Sequence, residues 1–410
     1  MMKGAQIEAA IDILDEVYFE KNAPMDQVVN LYLKPKRYIG SGDRRVIVGY
    51  VYDIMRNFGL ISWWCEMCSM HPNARNHMIM HLLLQSTGSQ EMGIFFSGQQ
   101  YHPKPFEKYE EKAIEFFHKN QYLKSQLPLH TKLNIPAWSE NYFKRTFGDQ
   151  FEEEIKAFQN QARFDLRVNL LKAKREDIHF PSSSITPLSP WGIYFDERMP
   201  IYNHDLFKKG VLEVQDEGSQ LVAKLVDAHP GHLVVDFCAG AGGKALAMAA
   251  MMENKGRIIL SDIAQWRLDK AKLRLRKAGA CNHEERILSP DLSDKWIKRL
   301  HGKVDRLLLD VPCSGTGTWR RNPEAKWRLK ESDITELLEK QKNILEASYK
   351  MVKSGGYLVY ATCSLFEEEN TDQMTTFLEN HPEFEKGETL KLTPFRSQTD
   401  GFFAQKLIRK

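Results

Sequence analysis

No apolar run in the sequence approaches the roughly 18 residues that a membrane-spanning helix requires, so no membrane partner is expected. Cysteine is scarce: six residues, at 65, 68, 238, 281, 313 and 363, scattered over 410 positions. That spacing excludes a disulfide framework and points to a reducing, cytoplasmic setting. A metal site is not expected either. Cys65 and Cys68 form C-x-x-C, and His77 and His81 share a helical face, but a zinc site wants a second matched pair. Core packing is the plainer reading of all four. Excess charge is also slight, at +3, so any nucleic-acid partner must be argued from local clusters. Internal repeats and low-complexity segments are lacking, and "MMKGAQIEAAIDILDEV" carries acids inside its apolar pattern, unlike a signal peptide.

What is present exceeds one ordinary core. Residues 5–125 repeat apolar positions every three or four residues, as in "AAIDILDEVYF", which predicts an all-α domain over 1–130. Residues 131–215 mix strand-like "FDLRVNLLK", "WGIYF" and "GVLEVQDEG" with loops and a short helix at "KREDI", the texture of a small α+β domain. Over 216–410, apolar runs at 232–237, 257–260, 285–288, 305–311 and 356–362 alternate with amphipathic stretches at 244–253, 264–278, 333–353 and 367–379. This is an α/β pattern, a parallel sheet wrapped by helices, with "DGFFAQKLI" as a late antiparallel strand.

"VVDFCAGAGGKALAMAA" reads as strand, glycine-rich turn and helix. Gly240, Gly242 and Gly243 let a ligand approach the backbone at the positive end of a helix. A P-loop is excluded, because Cys238 and Ala245 stand where it needs glycine and Ser or Thr. A dinucleotide fingerprint is met only at Gly240 and Gly242, with Ala245 as a weak third position. A nucleoside cofactor without phosphates remains, and S-adenosylmethionine fits. The turn Cys238, Ala239, Gly240, Ala241, Gly242, Gly243 and Lys244 is its expected cradle, Cys238 packing beside it. Asp262, about twenty residues on, can accept ribose hydroxyls, and Asp291 is placed to meet the adenine. The competing reading makes these acids turn residues or helix caps.

Asp310 and Cys313 close the fourth strand of this domain and Cys363 closes the fifth, so both thiols should face one pocket. A buried cysteine is more often an inert small hydrophobe, but two beside a cofactor turn and an aspartate weaken that reading. Ser364 and Glu367 have capping-box spacing, which predicts a helix start that would stabilise a thiolate at Cys363. Cys313 enters "SGTGTWRRNP", expected to be a flexible loop.

"DVPCSGTGTWRRNPEAKW", "ATCSLFEEEN", "CAGAGGK" and "VQDEGSQL" together resemble the RsmB/NOP family of S-adenosylmethionine-dependent RNA cytosine-5 methyltransferases, over roughly 134–410. The resemblance implies a Rossmann-like class I methyltransferase core with a mostly parallel seven-stranded sheet, preceded by an RNA-recognition-like domain. In some bacterial members a helical extension like the antitermination factor NusB comes first, which 1–130 matches in size. It also implies that the Thr-Cys cysteine, Cys363, is the nucleophile and that the Pro-Cys cysteine, Cys313, serves product release. Where the family turn usually reads C-A-A-P-G-G-K, this chain has Gly240-Ala241, losing a rigid proline but keeping both glycines and Lys244. The chemistry needs these types: a thiolate adding to C6 of cytosine makes C5 nucleophilic toward a methyl sulfonium. Asp310 can bond the base's N3/N4 edge as charge builds.

"TWRRNPEAKWR" interleaves Arg320, Arg321 and Lys326 with Trp319 and Trp327, expected to hold RNA by phosphate pairing and base stacking. The helix "RLDKAKLRLRK" is read as a solvated face. The function expected is methyl transfer to a cytidine in structured RNA, ribosomal rather than transfer RNA, by a protein acting as a monomer. A non-catalytic ribosome-assembly factor is the competing class, which intact Asp310, Cys313 and Cys363 oppose.

Overall fold

The computed structural model describes residues 1–20 and 23–410. They form two units, residues 1–141 with 321–329, and residues 142–320 with 330–410.

The first unit is helical. Helices Lys3–Phe19, Met25–Leu33, Ser41–Arg56, Phe58–Met67, Ala74–Leu84 and Lys108–Lys119 bury one apolar core that includes Ile13, Leu14, Ile54, Trp64 and Met78. Cys65 and Cys68 belong to this core, and burial pushes the Cys65 thiol up to about 12. His77 is buried against Tyr18, its Nδ1 2.7 Å from the phenol oxygen, and burial lowers it to about 4. Among the described residues, no group of three or more His, Cys, Asp or Glu could hold a metal ion, and no helix is long and apolar enough to cross a membrane.

Residues 321–329 complete this unit, and they correct the reading of the basic loop. Helices leave their last carbonyls without partners. Lys326 Nζ donates to the carbonyl of Arg56 and to that of Asn134. Trp327 Nε1 donates to Met55 O, and Arg328 to Val17 O and Ala23 O. These cations and the indole therefore cap the ends of two helices, at Val17 and at Met55–Arg56, rather than facing solvent. Lys326 is only 4% exposed, and burial followed by the nearby Arg56 charge pulls its ammonium down to about 7.

In the second unit, β1 (Phe164–Val168), β2 (Ser184–Ile185), β3 (Gly192–Phe195) and β4 (Leu212–Val214) make an antiparallel sheet in the order β2-β3-β1-β4. The helix expected at "KREDI" is a single 3-10 turn, Arg175–Asp177. This sheet shares its unit with the larger one, and the helical unit runs to 141. The larger sheet contains β5 (Leu233–Asp236), β6 (Arg257–Asp262), β7 (His283–Ile287), β8 (Val304–Asp310), β9 (Val352–Thr362), β10 (Phe384–Leu392) and β11 (Phe402–Arg409), ordered β10-β11-β9-β8-β5-β6-β7. From β9 to β7 all neighbours are parallel; β11 and β10 are antiparallel additions.

The apolar runs are continuous because both faces are covered. Val234, Ile258, Leu308 and Val359 point into one core, and their neighbours Val235, Ile259, Leu307 and Leu358 into the other. Chain order reverses at β5, flanked by β8 and β6, which opens the crevice of a doubly wound sheet at their carboxyl ends. Helix Gln265–Ala278 stops at Gly279, whose φ of +80° closes the last turn.

Because Lys326 and Trp327 cap helices, Lys326→Met and Trp327→Ala should lower the thermal unfolding midpoint of the helical unit. The slope of log affinity for RNA against log salt should stay unchanged, whereas loss of a phosphate contact would reduce it by about one.

Candidate active site

Parallel pairing of β8 with β9 sets Asp310 opposite Ala361, so the segments after the two strands leave the sheet side by side. Cys313 and Cys363 meet there, Sγ to Sγ at 3.4 Å. The loop after Cys313 is not flexible as expected. Gly317 N donates to Cys363 O at 2.9 Å, and Gly401 N donates to Gly317 O at 2.8 Å. A Cβ on Gly317 would lie 2.2 Å from the Gly401 carbonyl oxygen, so glycine is required for this approach. The helix expected to begin just after Cys363 also fails to appear. Residues Glu367–Glu369 form a 3-10 turn and the helix is Thr371–Asn380; the Ser364 hydroxyl accepts from Phe366 N at 3.1 Å while donating to the Glu369 carboxylate, and no α-helix follows directly.

Asp310 accepts a bond from Lys244 Nζ at 2.6 Å. Burial disfavours the Lys244 charge, but Asp310, with Asp236 and Cys363, outweighs it and leaves the ammonium raised. The Cys313 thiol is pushed well up, first by its bond to Cys363, then by burial and by the charges of Cys363 and Glu369. The two sulfurs are inequivalent: one faces a lysine and the other a carboxylate.

The glycine turn lies between β5 and helix Gly243–Met251. Gly242 has φ +76°, and a Cβ there would come 2.9 Å from Ala271 Cβ. Two arginines brace the turn from outside it: Arg167 of β1 donates to Gly243 O and Arg274 to Ala241 O, each at 2.7 Å. Arg274 in turn pairs with Glu213 of β4 at 3.0 Å. The small sheet therefore supports the turn directly. Asp262 is buried and accepts from Gly240 N at 3.0 Å and Ala264 N at 2.8 Å. Asp291 is exposed, with Oδ1 accepting from Ser293 N and Oγ, the turn geometry of its competing reading. Cys238 packs beside the turn against the Val235–Phe237 core.

Asp236, at the end of β5, escaped the sequence reading. It is 1% exposed, and neither carboxylate oxygen has a hydrogen-bond partner among the described residues. Burial, then the charge of Asp310, raises it to about 7. A buried acid with no partner is costly unless a ligand supplies one. With Asp262 and Asp310 it forms a row of carboxylates along three strand ends. That row suits a ligand carrying an ammonium, a sulfonium and ribose hydroxyls, so the residues fit S-adenosylmethionine. The signal was available: Asp236, like Asp262 and Asp310, is an acid ending an apolar run.

Four of the five residues expected to hold RNA are placed otherwise. Trp319 is 2% exposed and packs edge-to-face on Phe143 at 5.5 Å. Arg320 is 5% exposed, pairing with Asp400 at 2.6 Å and lying 3.8 Å from Asp216. Lys326 and Trp327 cap helices, as described above. Arg321 is half-buried and engaged in an interaction of its own.

A mostly parallel seven-stranded sheet with a glycine turn and carboxylates at its strand ends is the fold of an S-adenosylmethionine-dependent methyltransferase. The family described as 16S rRNA methyltransferase RsmB/F matches residues 223–408. A relative from Synechocystis sp., named a probable ribosomal RNA small subunit methyltransferase B, is 33% identical over 316 residues, covering 70% of each chain. The crystal structure of PH0851 superposes with a TM-score of 0.78 and 25% identity, covering 100% of this chain and 99% of that one. A methyltransferase homolog from Pyrococcus horikoshii gives 0.60 and 26%, covering 68% of this chain and 97% of its own. The chain belongs to the RsmB/F methyltransferase family.

Asp236 carries a pH signature. Unfolded, its carboxyl ionises near ~4; folded and without cofactor, it holds its proton to about pH 7. The folded state binds the extra proton, so this group's contribution to stability is greatest below pH ~4 and falls as pH rises to about 7. Asp236→Asn should lack that fall, making the cofactor-free variant more stable than the parent at pH ~8 in chemical denaturation, while binding S-adenosylmethionine more weakly in calorimetry.

Proposed function

We propose that the protein transfers a methyl group from S-adenosylmethionine to C5 of a cytidine in small-subunit ribosomal RNA, through a covalent bond between Cys363 Sγ and C6 of the base. The observation that carries this reading is the 3.4 Å thiol pair beside the Lys244–Asp310 bridge. An inert pair of core cysteines would not need a buried lysine and an aspartate at the same strand ends. The relatives' names supply the ribosomal substrate; a transfer RNA arm belongs in the test.

In this reading Asp236 takes the cofactor's ammonium and Asp262 its ribose hydroxyls, and Asp291, in the loop after β7, meets the adenine edge. When bound, S-adenosylmethionine supplies an electrophilic methyl. The target base must be unpaired or swung out to reach the crevice. Cys363, ionised beside Lys244, adds to C6, and the electron pair moves toward C5 and N3. Asp310 holds the N3/N4 edge, and its bond to Lys244 places both groups where that charge builds. After transfer, the C5 proton leaves to a base, the C5–C6 double bond re-forms, and the Cys363–C6 bond breaks.

Cys313 is the group available for that proton. While Cys363 is anionic, Cys313 stays protonated and donates to it. Once Cys363 is bonded to carbon its charge is gone, and the largest cause holding the Cys313 thiol up is removed. Cys313 can then give its own proton to solvent, and the thiolate so formed accepts the C5 proton, so adduct formation itself prepares the release step. Residues 1–130 are read as an RNA-binding domain, which fits their position ahead of the catalytic sheet in the chain.

Incubation with labelled cofactor and either ribosomal or transfer RNA tests the reading. Ribosomal RNA should take up label at a cytidine, and Cys363→Ala should abolish uptake. Cys313→Ala should accumulate a protein–RNA species stable to denaturing electrophoresis. Undiminished methylation by Cys363→Ala would remove the covalent mechanism.

A further inference from the structure

Each cysteine of the pair is followed by a serine, and neither serine has a part in the chemistry above. Ser314 and Ser364 lie with their hydroxyls 3.0 Å apart, and both donate to Oε2 of Glu369. Oε1 of the same carboxylate accepts from Ser314 N at 2.8 Å and from Gln341 Nε2 at 2.9 Å. Gln341 Nε2 also reaches Pro312 O at 3.0 Å, and Tyr360 OH donates to the Glu369 carbonyl at 2.7 Å. Glu369, Ser364 and Gln341 are completely buried, and no lysine or arginine among the described residues pairs with this acid.

A carboxylate buried without a cation is among the most expensive groups a fold can hold. It is tolerated here because four donors, two from each side of its fork, replace its water. Three of those donors belong to Ser314 and Ser364, the residues next to the two thiols. The group is also electrically unhelpful to a thiolate, and its charge is one of the causes that hold Cys313 protonated. A purely packing role would be met by an apolar side chain of the same volume at lower cost.

We propose that Glu369 is the positioning residue of the two-cysteine site: its carboxylate clamps the loop after β8 to the loop after β9 through Ser314 and Ser364, fixing Cys313 and Cys363 at contact distance. The inference rests on the two-cysteine reading of the reaction. The clamp acts on sulfur separation and does not touch the base or the cofactor. A loosened clamp lets the thiols drift, so that Cys313 no longer reaches the C5 proton of the base bonded to Cys363.

The readout is the separation itself. Oxidised glutathione converts two adjacent thiols to a disulfide, releasing two molecules of reduced glutathione. The position of that equilibrium measures the effective concentration of one thiol at the other. With peptide mapping to isolate the 313–363 pair, Glu369→Ala should disfavour the disulfide and lower kcat about 100-fold, with KM for cofactor and RNA unchanged. Glu369→Gln, which keeps the fork's size and one acceptor oxygen, should restore much of both. Ser314→Ala/Ser364→Ala should reproduce the Glu369→Ala defect, adding Glu369→Ala to that pair should cost little more, and unchanged circular dichroism of each variant controls for folding.

If Cys363→Ala abolishes methylation but Glu369→Ala leaves the disulfide equilibrium and kcat as in the parent, the clamp is wrong and the chemistry stands. Fully additive losses in the triple variant would equally overturn it. Methylation surviving in Cys363→Ala would instead remove the two-cysteine reading, leaving the disulfide equilibrium to report on the clamp alone.

Discussion

Two sulfur atoms in contact at the carboxyl ends of neighbouring parallel strands are the constraint on which the rest of this site depends. Parallel neighbours end on the same side of a sheet, so residues just past β8 and β9 must share one mouth. That brings the loops together to within several ångströms; it does not bring thiols to contact. Part of the remaining approach comes from Gly317, whose missing side chain admits the Gly401 backbone, and from the backbone bond between Gly317 and Cys363, beside the bonds both serines make to Glu369. Once the sulfurs touch, their protons are no longer independent, and the bond to Cys363, burial and the charge of Glu369 hold the Cys313 thiol up.

The same strand ends explain the cofactor side. Asp236, Asp262 and Asp310 each finish an apolar run at the crevice where chain order reverses. Asp262 is satisfied by backbone N–H groups and Asp310 by Lys244, whereas Asp236 has no partner. The site therefore stores an unfavourable buried acid, a cost of the kind commonly found where function overrides packing. The bracing of the glycine turn by Arg167 and Arg274 links it to the small sheet, so both sheets of the second unit hold the turn in place.

Much of the core was legible because burial on both faces leaves no choice of residue. The runs "LVVD", "RIIL", "RLLLD" and "GYLVYAT" are strands in the protein, and the antiparallel β11 matches "DGFFAQKLI". Strand β10 was not foreseen, because at the sheet edge its sequence, "FEKGETLKL", is mostly exposed and carries no apolar run. The mistaken helix start at Ser364 has a different cause: a serine followed three residues later by glutamate matches a capping box, but the hydroxyl accepts from Phe366 N and donates to Glu369, closing a local turn with no α-helix behind it. Arg320 and Lys326 misled because a cation's letter does not say whether it meets a phosphate or a buried acceptor. Arg320 meets Asp400, and Lys326 meets helix-end carbonyls. Glu369 itself was visible only as one of three consecutive acids. No pattern in one dimension shows that its partners are the serines beside Cys313 and Cys363.

The central claim, that Cys363 is the sulfur that bonds the pyrimidine, is tested most directly by mass spectrometry of the protein after reaction with cofactor and RNA containing 5-fluorocytidine. Fluorine at C5 cannot leave as a proton does, so the adduct persists. The account predicts a single modified peptide carrying a methylated fluoropyrimidine on Cys363, formed only with S-adenosylmethionine present. An adduct on Cys313, or methylated RNA with no protein adduct, would contradict it.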